Sequence, residues 1–273
     1  MTTIDKIDQE LAYALEESEV AYWSKYYQVN APMKSFASVI AGAFAGAIPE
    51  QDILSMNRVI GLCIRQPVKP AHIDDIIRFY RLAGTRRFFI QLSPSALPDN
   101  LRENLHNKGF CYHNNWVKLW RKANQPLPKV ETELTVARID QQQAPTYGRL
   151  IFNSFDWEDQ RLVSWLASTV GRPGYHHYLA LHQGQPVAAA ALHITGQYAS
   201  MAFAGTLPEY RGRGAQGLLL KTRILDAIEA GCQYIISETA EEKPGRSVAS
   251  YRNMRRFGFE EAYLRENWIY YVS

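Results

Sequence analysis

A run of helix, strand, helix and strand occurs twice in this chain, so any fold it adopts must house both copies. In the first copy "IDDIIRFYRLAG" reads as a helix closed by Gly84 and "RRFFIQLS" as a strand. "LPDNLRENLHNKGF" then reads as a second helix with its exit, and "CYHNNWVKLWR" as a closing strand. In the second copy the same order is read in "KTRILDAIEAG", "CQYIISET", "SYRNMRRFGF" and "EEAYLRENWIYYV". Both first helices end on Ala-Gly, Asn104 and Asn253 each stand five residues before a Gly-Phe pair, and both closing strands carry Asn-Trp, at Asn115-Trp116 and Asn267-Trp268. Each feature alone is common, because helix C-caps favour glycine and a Phe after it merely re-enters a core; it is their shared order that points to duplication.

Between the copies, "RKANQPLPKVETEL" interrupts the hydrophobic pattern with two prolines and alternating charges, and marks the boundary between domains at 1–128 and 133–273. Ahead of the second copy come a strand near "LTVARI", helical sequence from Pro145 to about Thr169, and the strands "HHYLALHQG", "QPVAAAALHITG" and "YASMAFAGTL". Gly184 and Gly196 separate the last three as hairpin turns would. The expected fold class is therefore α/β (α+β), with a mixed, mostly antiparallel sheet flanked by helices in two similar domains.

The copies differ where their first helices begin. The second starts from "LPEYRGRGAQGLLLKTRILDAIEAG" and the first from "QPVKPAHID". A helix N-terminus exposes unpaired N–H groups and the positive end of the helix dipole, which together favour a phosphate. Gly212 and Gly214 allow close approach and positive φ, while Arg211 and Arg213 add charged donors. Leu220, Ile224, Ala227 and Ile228 follow at helical spacing and would anchor the helix by its other face. Proline cannot donate, so the first copy can begin a helix without presenting a run of amides. Neither the Gly-Lys-Ser/Thr of a Walker A loop nor the spaced three-glycine dinucleotide fingerprint is present.

"PEYRGRGAQGLLL", a following strand and "SYRNMRRFGF" together resemble the acetyl-CoA-binding core of the GCN5-related N-acetyltransferase (GNAT) superfamily. Its Arg/Gln-x-x-Gly-x-Gly/Ala signature is matched by Arg211 and Gly214, with Gln216 where a smaller residue is usual. The resemblance covers about Glu133 to Ser273 and makes the first half a degenerate, tandem GNAT-like copy. It implies that the strand before the turn splays from its neighbour, that Ala204, Gly205 and Thr206 offer backbone groups to the pantetheine arm, and that Arg211, Gly212, Arg213, Gly214, Ala215 and Gln216 wrap the pyrophosphate. Asn253 would reach the same arm. Arg246, Arg252, Arg255 and Arg256 suit a further phosphate, although a solvated helix face explains any one of them.

The expected activity is acetyl transfer from acetyl-CoA, as co-substrate, to a primary amine by direct attack, with no metal. A base must take the amine proton, an acid must protonate the thiolate, and strand N–H groups must meet the carbonyl oxygen. Glu238, at the end of "CQYIISET", is the first candidate for the base and His193 the second. Tyr251 is the candidate acid, because Met254 stands where the family often has tyrosine, and protonation of the thiol by solvent is the alternative. Glu209 can simply complement the helix N-terminus, and Cys232 reads as core, not nucleophile. Asp156, Glu158 and Asp159, within "FNSFDWEDQRLVSWL", would favour a cationic acceptor or only cap a helix.

Two rival functions remain: an acyl-CoA sensor without turnover, and a nucleic-acid binder working through its Arg-Gly turn. A net charge of +3 weighs against the latter, since nucleic-acid-binding domains are usually strongly basic. Cys63, Cys111 and Cys232 lack metal or redox spacing and read as reduced thiols of a cytoplasmic protein. "MTTIDKIDQELAYALEE" has no secretory pattern, and the longest apolar run, "FASVIAGAFAGAI" at Phe36 to Ile48, is too short to span a bilayer and reads as a buried strand or close-packed helix. Partners are therefore expected to be acetyl-CoA and a small or peptide amine, without nucleic acid or membrane.

Overall fold

The computed structural model describes residues 8–28, 33–96, 98–245 and 248–272. In chain order its elements are α1 (Gln9–Tyr27), β1 (Phe36–Ile40), β2 (Ala43–Ala47), β3 (Arg58–Ile60), α2 (Pro70–Ala83), β4 (Arg87–Leu92), α3 (Leu101–Asn107) and β5 (Cys111–Lys122). There follow β6 (Thr135–Ile139), α4 (Ala144–Ser154), α5 (Arg161–Ala167), β7 (Tyr175–His182), β8 (Gln185–Thr195), β9 (Tyr198–Thr206), α6 (Ala215–Glu229), β10 (Tyr234–Ala240), α7 (Ala249–Arg256) and β11 (Glu260–Tyr271). Every helix and strand read from the two repeats is present. Gly84 caps α2 in the left-handed conformation, and Pro70 takes the first position of that helix, where its missing N–H costs nothing.

One expectation is corrected. Phe36 to Ile48 is neither a single strand nor a helix but the hairpin of β1 and β2, turning at Ala41 and Gly42, which both take positive φ as a tight hairpin turn requires. β2 is buried throughout and β1 is largely exposed, so the apolar run covers one inner and one outer strand.

All strands join one sheet of order β1-β2-β3-β4-β11-β5-β10-β9-β8-β7-β6. Most neighbours are antiparallel; β3 with β4 and β9 with β10 are parallel. The two closing strands are exchanged. β11, last in the chain, pairs with β4 of the first half, and β5 of the first half pairs with β10 of the second. They also pair with each other, so the boundary expected at 128–133 would fall between β5 and β6 in sequence while each half's last strand pairs with the other half.

Alternation along the strands sorts side chains to two faces. Tyr178, Ala188, Ala190 and Leu192 pack under α6 and α7, whereas Leu179, Ala189 and Ala191 pack under α1, α4 and α5. Phe44 and Ile60 of the first half join the same α1 cluster, so α1 spans both halves on one face, while α2 and α3 cover Ala45, Val59, Phe88 and Ile90 on the other. Among the described residues no helix is long and apolar enough to cross a membrane.

Candidate active site

The sheet opens between β9 and β10. Their parallel pairing covers only Tyr198 to Ser200 opposite Tyr234 to Ile236 and then stops, while β10 stays paired with β5 as far as Ala240 opposite Trp116. On its other edge β9 bulges: Ala191 faces Ala202 and Ala189 faces Gly205, so Phe203 and Ala204 lie opposite Ala190 alone. Phe203 takes a φ of 31°, in the left-handed region that non-glycine residues seldom enter. The bulge turns β9 away from β10 and frees backbone groups that a flat ladder would consume. The resulting gap holds a cavity of about 500 Å3 that passes through the sheet. Arg223, Ser250 and Met254 line it on the α6/α7 face, and Tyr22 and Trp23 on the α1 face.

β9 runs from this gap into the glycine turn. Gly214 is the N-cap of α6, with φ 85°, and Gly212 has φ 80°. The first turn of α6 therefore aims its N–H groups away from the helix at a point next to the end of β9. The turn is tied down from several sides. Thr132 donates its hydroxyl to the Arg213 carbonyl at 2.7 Å, Gln216 Nε2 donates to Thr206 Oγ1 at 2.8 Å, and Arg211 Nη2 donates to the Ser154 carbonyl at 3.2 Å. Arg213 lies against the Tyr210 ring. Arg211, Gly212 and Arg213 are exposed and Ala215 is buried. The buried face of α6 consists of Leu219, Leu220, Arg223, Ile224 and Ala227; Ile228, assigned to it from spacing, is exposed instead.

Of the proposed catalytic residues, only Glu238 reaches the cavity wall. Its oxygens accept from Arg58 Nη1 at 2.7 Å and from Arg265 Nη2. These contacts belong to a buried network in which Glu19 accepts from Lys118 at 2.6 Å and from Arg265 at 2.8 Å, and pairs with Arg58 at 3.2 Å. Burial opposes ionisation of Glu19, but Arg265, Lys118 and Arg58 together hold its carboxyl well below the usual carboxylate range. Tyr251 is turned away and donates to Glu261 on β11, a contact that raises its phenol. Asn253 is half-buried on α7 and does not line the cavity. Cys232 is buried in the α6/α7 core, where desolvation raises its thiol.

His193 is fully buried between the rings of Tyr22 and Tyr175, off the cavity wall, with Nδ1 3.3 Å from Thr195 Oγ1. Desolvation, with Lys25 and His176 adding repulsion, lowers it from 6.5 to about 4. Between those values the unfolded chain binds a proton that the folded chain refuses. Stability should therefore fall as pH drops from about 6.5 to 4, by up to about 1.4 kcal/mol per pH unit for this one group. Urea unfolding at pH 7.5 and 5 should show a smaller acid loss in His193→Gln than in the parent; equal losses would contradict this placement. His177, lowered to about 3 by its burial, and His176, lowered first by desolvation, add to the acid sensitivity that remains.

The other arginines of the α7 region are partly engaged. Arg252 pairs with Glu242 at 2.9 Å, Arg255 donates to the Phe259 carbonyl at 2.9 Å, Arg256 is exposed, and Arg246 lies outside the described residues. In the α4–α5 connection the acids point elsewhere: Asp159 pairs with Arg161 at 2.6 Å, a contact that lowers it to about 2, and Asp156 and Glu158 are exposed. The residues this segment presents to the cavity are Phe155 and Trp157.

Several cavity residues escaped the sequence reading: Trp23, Arg58, Trp116, Lys118, Arg223 and Ser250. A signal did exist for some of them. Lys118 stands between the apolar Val117 and Leu119 of β5, and Arg223 sits on the buried face of α6 at the spacing of Leu220 and Ala227. Ser250 lies one turn before Met254 and its hydroxyl is 2.5 Å from that of Thr239, so two hydroxyls face the gap where the expected tyrosine is absent.

The family model described as Acetyltransferase (GNAT) family matches residues 136–259. No curated protein matches the chain. Among solved structures, a GCN5-related N-acetyltransferase from Kribbella flavida superposes with a TM-score of 0.65 at 14% identity, covering 93% of this chain and 94% of that one. A tandem GNAT protein from the clavulanic acid biosynthesis pathway superposes with a TM-score of 0.59 at 15% identity, covering 97% and 94%. A GCN5-related N-acetyltransferase from Sphaerobacter thermophilus gives 0.59 at 11% identity, covering 97% and 91%. At these identities the likeness is one of fold, and it extends over both halves of the chain.

Proposed function

Since residues 136–259 match the Acetyltransferase (GNAT) family, we propose that the chain transfers an acetyl group from acetyl-CoA to a primary amine by direct attack. The observation that carries this reading is the continuity of the β9/β10 gap with the glycine turn: an open strand edge runs directly into a helix N-terminus tied down to receive a phosphate. Gly212 to Gln216 hold the pyrophosphate, and Ala204 to Thr206 offer backbone groups to the pantetheine arm. The thioester then sits at the bulge. Both strands leave unpaired groups there, and an N–H near Ala204 can donate to the carbonyl oxygen as negative charge develops on it.

The acceptor comes from the α1 face. Its neutral nitrogen attacks the thioester carbon, the C–N bond forms and the C–S bond breaks. The proton leaving nitrogen passes to Glu238, the more exposed of the two cavity carboxylates with 20% of its side chain accessible against 8% for Glu19. The thiolate takes a proton from solvent, and of the paired Ser250 and Thr239 hydroxyls the one that accepts from the other keeps its own proton to donate to sulfur. His193 and Tyr251, off the wall, have no part in these steps. The first half supplies the acceptor side through α1, Arg58 and β5.

Calorimetric titration with acetyl-CoA should give saturable binding that free CoA competes away, and an amine panel should release thiol in an acetyl-CoA-dependent manner. Binding without thiol release from any amine would favour the sensor reading, which Met254 at the tyrosine position supports. Absence of binding would remove both.

A further inference from the structure

We infer that the acceptor is an amine with a single charge and an aromatic or alkyl body, and that polyamines, aminoglycosides and zwitterionic amino acids are excluded; this rests on the acyl-transfer reading above. The α1-face mouth of the cavity is built from rings. Phe155 and Trp157 stack on each other with centroids 4.9 Å apart, and Phe203 meets Trp23 edge-on. Phe155 is 46% exposed although it lines the cavity, so the cavity opens to solvent at an apolar rim that no element among the described residues covers. An aromatic or alkyl body laid on that rim would remove apolar surface from water on both partners.

The charges beneath the rim argue the same way. A second ammonium would need an unpaired carboxylate, yet both carboxylates of the cavity are taken. Glu19 is shared by Arg58, Lys118 and Arg265, and Glu238 by Arg58 and Arg265. Deeper in the cavity two rings already carry a cation, since the Arg58 guanidinium lies 4.7 Å from the Trp23 centroid and 5.4 Å from that of Trp116. On the far wall Arg223 is buried, bonds only to the Leu219 and Ala191 carbonyls, and has no ion-pair partner among the described residues, which adds positive charge. A free carboxylate on the acceptor fares no better: Arg58, Lys118 and Arg265 already have acidic partners, and Arg223 reaches the cavity from α6, on the face of the sheet opposite α1. One amine, which loses its charge before attack, is what this cavity can take from water without adding a further unpaired ion.

The test uses the full chain with 2-phenylethylamine, phenylalanine and spermidine. Phenylalanine adds only a carboxylate to 2-phenylethylamine, and spermidine adds ammonium groups without a ring. With acetyl-CoA saturating, kcat/KM for 2-phenylethylamine should exceed that for either of the others at least tenfold. The amine alone should quench tryptophan fluorescence saturably, because Trp23, Trp116 and Trp157 line the site. Phe155→Ala and Trp157→Ala should each raise KM for 2-phenylethylamine by roughly two- to tenfold, the worth of one ring contact, with acetyl-CoA affinity unchanged. Preference for spermidine or phenylalanine would overturn the inference, as would acetyl-CoA binding with no quenching by 2-phenylethylamine. If acetyl-CoA does not bind but the amine quenches saturably and both alanine variants weaken that quenching, the acyl-transfer reading falls and the apolar amine site stands.

Discussion

Arg265→Met should destabilise the protein by about 3–5 kcal/mol, the usual consequence of removing one partner from a buried ion pair. The side chain of Arg265 is inaccessible, and its guanidinium touches Glu16 at 3.2 Å, Glu19 at 2.8 Å and Glu238. Burial disfavours its charge, but those three carboxylates outweigh that and hold it well above its usual range. When it is removed, Glu19 and Glu238 keep Arg58, whereas Glu16, whose side chain is 1% exposed, keeps only the Tyr263 hydroxyl at 2.6 Å. Adding Glu16→Gln to Arg265→Met should therefore recover part of the loss, so that the double variant falls short of the sum of the singles. Urea unfolding followed by circular dichroism at pH 7.5 measures all four species. A single variant within 1 kcal/mol of the parent, or strict additivity, would mean that the network does not hold the halves together as its geometry requires. The loss matters beyond stability, because Arg265 on β11 and Lys118 on β5 clamp the two exchanged strands to α1, and Glu238 sits in the same cluster.

The exchange of β5 and β11 is the feature that was hardest to read from sequence, and the reason is physical. Both follow a Gly-Phe exit, both carry Asn-Trp, and both are long strands bound for the same face pattern, so local propensity and periodicity cannot say which half each one closes. Pairing is decided by cross-strand partners that lie far apart in the chain, such as Glu238 opposite Lys118. The charged side chains of these strands look like faults in an apolar pattern until that partnership is known. The Phe36 to Ile48 hairpin was missed for a local reason: its turn is Ala-Gly, a weaker signal than Asn-Gly or Asp-Gly, inside an unbroken apolar run. The glycine turn and the helices and strands of both repeats were legible because they rest on short-range rules: glycine where φ is positive, apolar residues at helical spacing, and glycine closing a helix. The cavity was legible only in part. Its donor side follows from one contiguous motif, whereas its acceptor side is assembled from α1, β3, β5 and the α4–α5 connection, which no single stretch of sequence brings together.

Gly214→Val should lower affinity for acetyl-CoA by roughly ten- to a hundredfold, the worth of about one charge-assisted hydrogen bond lost from the cradle. Two effects act together at this position. Its φ of 85° lies where a β-branched residue is strained, and a Cβ would come within 3.1 Å of Thr132 Cβ and 3.4 Å of the Glu131 carbonyl. Thr132 cannot move aside freely, because its hydroxyl donates to the Arg213 carbonyl at 2.7 Å and accepts from the Leu134 N–H at 3.2 Å. The valine must therefore shift the turn itself, and with it the first N–H groups of α6. Gly212→Ala shares the strain, at φ 80°, but meets nothing within 4 Å, so its effect should be smaller. Gly231→Ala, at φ 79° just beyond the far end of α6 and equally uncrowded, carries the same backbone cost with no cradle nearby and should bind acetyl-CoA as the parent does. Calorimetry on the three variants separates general strain from cradle geometry. Equal losses in all three would assign the effect to backbone strain, and parental affinity in Gly214→Val would remove the glycine turn from the acetyl-CoA site.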